Sequence, residues 1–376
     1  MGAGGSYGRV RRGGLERLRR RWWGGGLAVA VAVAAGVVPF AATAADPTAG
    51  GFHQRNLISD IPGVARITDP NLVNPWGQAA SPTSPLWVAD NGAAVSTLYT
   101  GGVKGSIPMI VPLVVRVPKG APTGIVFNPT AGFVVHTPNG KAPATFIFDS
   151  ENGVLSAWSS AVSGTRAQPE FFRKLAVYKG LAIGSVGGKN FLYAANFHQS
   201  RIDVFNDHFK RVTLSGDFAD SQIPPGFAPF DVQSLGAKLY VSYAKQDKQK
   251  HDDVAGPGNG FVDVYNTSGH LLRRLIAHGD LNSPWGLVIA PSGFGAFGGD
   301  LLVGNFGDGA IHAYNPTTGA PEGQLTNTDG NPILINGLWA LRFGNGTFGT
   351  RHSLVFTAGI GDEAHGLLGE IIPANR

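Results

Sequence analysis

Two stretches decide the fold when set side by side: Asn74-Pro75-Trp76-Gly77 leading to Leu86-Trp87-Val88-Ala89-Asp90-Asn91-Gly92, and Ser283-Pro284-Trp285-Gly286-Leu287 leading to Leu301-Leu302-Val303-Gly304-Asn305-Phe306-Gly307. Each is a turn residue, a short apolar strand, a gap, and a second apolar strand closed by a small polar turn. Weaker copies of the phrase start at Pro122-Thr123-Gly124, Tyr178-Lys179-Gly180, Pro229-Phe230-Asp231 and Asn336-Gly337-Leu338-Trp339-Ala340. In the second copy the following strands are read as Phe133-Val134-Val135 and Thr145-Phe146-Ile147-Phe148-Asp149. The anchors at 77, 124, 180, 231, 286 and 340 lie 47, 56, 51, 55 and 54 residues apart. Such a period admits three or four short strands per unit, the signature of a radial repeat.

The expected class is therefore all-β: a six-bladed β-propeller of four-stranded antiparallel blades. The last copy has room for three strands, while Asn56-Leu57-Ile58-Ser59-Asp60 stands before the first. The N-terminal segment is thus expected to complete the sixth sheet and close the ring, leaving no open edge. Gly 55 and Pro 25 in 376 residues, against charged residues at 15%, fit many tight turns and exclude a helical bundle.

Residues 1–45 read as an export signal: Arg9, Arg11, Arg12, Arg17 and Arg19 to Arg21, an apolar run from Leu27 to Phe40, then Ala42-Thr43-Ala44-Ala45. The single propeller domain is then 46–376. The leader holds seven of the 30 Lys+Arg and one of the 25 acids, so the remaining chain carries 23 basic and 24 acidic groups. The basic pI belongs to the leader and gives no ground for nucleic-acid binding. The apolar run is too short for a permanent span. The expectation is a secreted or extracytoplasmic, monomeric protein without a membrane anchor, exported by the Sec route rather than by twin-arginine translocation. With Cys 0 there is no disulfide and no thiol chemistry.

Candidate sites fall into three groups. Lys245 to Asp253 is a charged insertion in a chain poor in charge, and Asp247, Asp252 and Asp253 could hold Ca²⁺ or another divalent metal through an irregular oxygen shell; the alternative is a solvated hairpin loop. Asn91, Asn196 and Asn305 close the second strands of their blades and could converge on a ligand, or serve only as turn residues. Asp231 and Asn336, each in the turn or first residues of an inner strand, form the third group. Trp76, Trp285 and Trp339 recur at matching positions and are expected to pack between sheets.

Three phrases, Gln54 to Asp60, Asp69-Pro70-Asn71-Leu72-Val73-Asn74-Pro75-Trp76-Gly77, and His251 to Asp263, carry a resemblance. The chain resembles an uncharacterised family of exported bacterial six-bladed propellers over about residues 52–374, and is more distantly similar to NHL-repeat and gluconolactonase-type propellers. That resemblance implies a secreted or periplasmic propeller with no assigned activity. The gluconolactonase likeness implies a divalent metal held near Asp231 and Asn336, although the inner-strand glutamate such enzymes also use has no match. Two functional readings stay open: a non-catalytic scaffold that binds a small molecule, glycan or protein across its loop face, with or without Ca²⁺, and a metal-dependent hydrolase or lactonase.

Overall fold

The computed structural model describes residues 50–375. The leader, with everything expected of it, lies outside the described residues. Six antiparallel sheets follow one another along the chain. The first strand of each blade lines the centre: Pro75–Ala79, Pro122–Phe127, Tyr178–Val186, Phe227–Leu235, Pro284–Ile289 and Leu338–Phe343. The second strands, Leu86–Asp90, Phe146–Ser150, Lys189–Asn196, Lys238–Lys245, Leu301–Asn305 and Leu354–Ala358, are almost wholly buried. They form the middle of each sheet, packed on both faces by neighbouring blades, which is why they read as continuous apolar runs.

The sixth blade is completed by Phe52–Ser59, which pairs antiparallel with Leu367–Pro373 from Phe52 opposite Pro373 to Ser59 opposite Leu367. The six-bladed ring and its closure by the N-terminal strand both follow the sequence reading. The second blade departs from it. Val134–Thr137 is not that blade's second strand but half of a separate hairpin with Gly140–Pro143, and Phe146–Ser150 takes the place instead. The hairpin strands are half exposed, whereas Phe146–Ser150 is buried throughout, so burial on two faces assigns the middle position.

Candidate functional site

Every inner strand carries a register shift close to its start, where two residues face one on the neighbouring strand. Such bulges aim the residues within them away from the regular alternation. The residues brought to equivalent places are Trp76, Thr123, Lys179, Phe230, Trp285 and Trp339. Four of these are large aromatics, and they meet across the tunnel. Trp76 stacks on Trp339 with ring centroids 3.5 Å apart, and Trp285 stands edge-on to both at 6.2 and 5.8 Å. Phe306 adds a further stacked ring on Trp339 at 4.0 Å. The tunnel is therefore plugged at this level by buried aromatic surface.

The next residue in each bulge is an anchor of the sequence repeat, and here the blades approach most closely. A Cβ on Gly77 would stand 2.5 Å from the Thr123 carbonyl oxygen, and one on Gly180 would stand 2.0 Å from Asp231 Oδ1. Neither glycine has a positive φ, so the requirement is space rather than backbone freedom.

Thr123 and Lys179 are the two non-aromatic members of the set, and Lys179 is the charged one. Its side chain is 2% exposed. The ammonium lies 5.0 Å from the Trp76 ring centroid and donates to Glu151 Oε1 at 2.5 Å and Asp252 Oδ1 at 3.1 Å. Burial opposes the charge, but Glu151 and Asp252 outweigh it and hold Lys179 above the ordinary lysine value. Burial likewise works against the Asp252 carboxylate, and Lys179 with His251 prevails, holding it below the usual range.

Around this pair the mouth of the tunnel is densely bonded. Asn91 Nδ2 donates to Glu151 Oε2 at 2.9 Å, and His251 Nδ1 lies 2.8 Å from Asp252 Oδ1. Asn74 donates to Glu363 Oε2 at 2.7 Å and accepts from Trp339 Nε1 at 3.1 Å, tying the mouth to the plug. Burial, then the charges of Glu151 and Asp252, push the Glu363 carboxyl up, with Asn74 and Lys179 opposing. Carboxylates thus outnumber the ammonium. The backbone here is strained: Asn74, Asp362 and Glu363 all hold positive φ, at 45°, 54° and 64°.

From the mouth an open groove of about 590 Å³ runs outward between the second and third blades. Glu151 and His251 form its inner end, and Lys119, Lys174, Phe172 and Leu175 line it farther out. Lys119 Nζ lies 3.8 Å over the Phe172 ring, and Leu175 is 60% exposed. The groove is dipolar, with the Glu151 carboxylate at one end and Lys119 and Lys174 beside the apolar Phe172 and Leu175 at the other.

No model of a described protein family matches the chain. An uncharacterised protein of Acanthamoeba polyphaga mimivirus, R648, is 31% identical over 324 residues, covering 84% of this chain and 78% of its own. A second uncharacterised mimivirus protein, L690, is 30% identical over 325 residues, covering 84% of each. The chain belongs to the family of these two proteins. These family members are viral, where the sequence reading expected bacterial ones. Among solved structures, virginiamycin B lyase from Staphylococcus aureus has a TM-score of 0.49 at 13% identity, covering 85% of this chain and 98% of its own. A structure described as a candidate gluconolactonase has a TM-score of 0.39 at 19% identity, covering 66% and 94%. No residue role is carried over from either to this family.

The residues singled out in the sequence are distributed over several environments. Asp252 joins the Lys179 cluster. Asp247 Oδ1 accepts from the His251 amide at 2.8 Å, shaping the inserted loop that presents His251 and Asp252. Asp253 is half-buried, and this desolvation raises its pKa against the effect of Ser283. Of the three asparagines, Asn91 reaches the cluster, while Asn196 donates to Asp203 at 2.7 Å and Asn305 to the Asp280 carbonyl at 2.8 Å. The register explains the division. Pro75 pairs with Asp90, Tyr178 with Asn196 and Pro284 with Asn305, so Asn91 is one residue past the equivalent position.

Asp231 is fully buried, with Oδ2 accepting from Gln233 Nε2 at 2.9 Å and Oδ1 without a partner. Burial, reinforced by Asp149, lifts its carboxyl to about 8 against the effect of Gln233. Asp149 is likewise buried and raised to about 7, despite bonds from Thr123 and Gly124. Asn336 lies in an exposed loop, where its Oδ1 accepts from the Gly361 amide at 3.3 Å. Sequence reasoning missed Lys179, Glu151 and Glu363. The available signal for Lys179 was its place in the repeat, a lysine where four other blades carry Trp or Phe.

Proposed function

We propose that the protein is an exported, monomeric, non-catalytic propeller that binds a ligand across the loop face where the inner strands begin. The observation that carries the reading is the Lys179 mouth opening into the dipolar groove. Glu151, Asp252 and Glu363 exceed the one ammonium they surround, which favours a cationic group arriving from solvent. Lys119 and Lys174 favour an anionic group at the far end, and Phe172 and Leu175 offer apolar contact beside them. A short peptide, free or as a segment of a partner protein, has this chemistry. Backbone strain at the mouth and a rigid ring beneath it support a recognition role.

The test is calorimetric titration with short zwitterionic peptides containing Phe, beside phenethylamine and phenylacetate as single-charge probes. Peptides should bind most tightly, Glu363→Gln should weaken every amine-bearing probe, and Lys174→Gln every acid-bearing one. Absence of peptide binding, or indifference to both substitutions, sinks the reading. Export is checked by finding the mature N-terminus near residue 46 outside the producing cell.

A second reading has one observation in its favour. Ligand atoms of Glu151, His251 and Asp252 lie within 4.8 Å of one another, close enough to share a divalent metal such as Ca²⁺. Under it the chain is a metal-dependent hydrolase or lactonase, the metal polarising a carbonyl oxygen. Lys179 already neutralises two of these groups, so a metal has to displace the ammonium. Elemental analysis before and after chelation separates the readings, because one firmly held ion per chain is required only by the second.

A further inference from the structure

The far half of the tunnel, below the aromatic plug, encloses a cavity of about 130 Å³ lined by later residues of the inner strands, among them Gln78, Gln233, Ser234 and Arg342, and bordered by Trp285 of the plug. It lies at the opposite ends of those strands from the Lys179 mouth and shares none of that cluster's charged groups.

Arg342 is the unusual member. Burial alone lowers its pKa. Its one hydrogen bond runs from Nη2 to the Ala80 carbonyl at 3.2 Å, and among the described residues no carboxylate lies within 4.0 Å of it. A guanidinium withdrawn from water without an anion is costly, and its fork of donors matches a carboxylate. Gln78 stands beside it. The amide Nε2 of Gln78 donates to the Val355 carbonyl at 2.9 Å, and Val355 is the cross-strand partner of Arg342. That bond fixes the amide orientation and leaves Gln78 Oε1 buried with no donor. Gln233 is engaged with Asp231 through Nε2. The cavity thus presents a cation with no carboxylate partner among the described residues, while Gln78 Oε1 is closed off from the cavity.

We propose that this tunnel end binds a small monocarboxylate, with its carboxylate on Arg342. The volume amounts to about four waters' worth of space at ~30 Å³ each, which suits an acid of about three carbons. The site is independent of the loop-face groove.

The experiment is titration of the purified protein with lactate, propionate and lactamide, followed by calorimetry and by tryptophan fluorescence, since Trp285 borders the cavity. Lactate should bind one per chain. Propionate, which keeps the carboxylate, should bind about as tightly as lactate, and lactamide, lacking the charge, not measurably. Arg342→Gln should abolish lactate binding. Arg342→Lys keeps the charge as a control for folding and should weaken binding about tenfold through loss of the two-pronged contact. No binding of either acid at millimolar concentration, lactamide binding as tightly as lactate, or binding unchanged in both Arg342 variants would overturn the assignment.

Discussion

Replacing Lys179 by Met removes the ammonium while keeping a straight apolar stem over Trp76. Removing one partner of a buried ion pair costs about 3–5 kcal/mol. Two features reduce that figure here: the Asp252 side chain is 64% exposed, and Asn91 still donates to Glu151 at 2.9 Å. The expected loss is therefore ~2–3 kcal/mol near pH 7. Unfolding entropy of ~2.1 cal/mol/K per residue makes each kcal/mol worth about 1.5 °C for a domain of this length, so Tm should fall by ~3–4 °C.

The pH dependence follows from the two shifts. Lys179 is held above its ordinary value, so its contribution is complete below the ordinary lysine range and constant through neutrality. Asp252 is held below its ordinary value, so its contribution is present above the ordinary carboxylate range and is lost as pH falls through the folded value. The deficit of Lys179→Met should accordingly be full between about pH 6 and 8 and shrink below ~4. Adding Glu151→Gln should restore about 1 kcal/mol by removing the unpaired carboxylate. Calorimetric scans of the three proteins at pH 7 and about pH 3 decide the matter. A Tm within ~1 °C of the parent at pH 7, or a deficit that does not change at about pH 3, would refute an electrostatic role for Lys179.

Gly180→Ala should destabilise by about 3 kcal/mol or more in denaturant titration, because its Cβ would stand 2.9 Å from Asp231 Cα as well as against the carboxylate; a loss under ~1 kcal/mol would mean the blades can separate there. Asp231, raised to about 8, keeps in the folded state a proton the unfolded chain releases, so stability declines as pH rises from the ordinary carboxylate value toward about 8. Asp231→Asn should flatten that decline by up to ~1.4 kcal/mol per pH unit, leaving the smaller part due to Asp149; an unchanged slope assigns the proton elsewhere. Deleting residues 50–60 should expose the edge at Leu367–Pro373 and produce association on size-exclusion chromatography; a monomer with unaltered Tm would show the closing strand to be dispensable.

The fold was legible because the blades' closest approach imposes a residue type. Gly77, Gly124, Gly180 and Gly286 mark the same bulge in four blades, Asp231 and Ala340 hold the equivalent place in the other two, and the spacing of these six anchors gives the number of blades. Val134–Thr137 misled because an apolar hairpin in a loop has the same local pattern as a blade strand, and only burial separates them. The Lys179 cluster was not legible as a set. Lys179 comes from the third blade, Glu151 from the turn after a second-blade strand, Asp252 from the fourth-blade insertion and Glu363 from a sixth-blade loop. Each is ordinary in its own segment, and only ring closure brings them together. Asn91 shows the opposite difficulty, since a shift of one residue in pairing sends it to the mouth while Asn196 and Asn305 bond within their own blades.

The strand that seals the sixth sheet comes from one end of the chain and pairs with the other, Phe52 with Pro373. Bringing together segments ~320 residues apart costs on the order of 5 kcal/mol in chain entropy, and no partial contact offsets it until both ends are present. Five sheets can assemble as the chain emerges, but the last waits for the final strand, so closure is the natural slow step of folding. Until it occurs, the edge at Leu367–Pro373 stays open to any other strand, including the same segment of a second molecule still waiting to close. For a protein built this way, yield at high concentration is a race between one intramolecular pairing and many intermolecular ones.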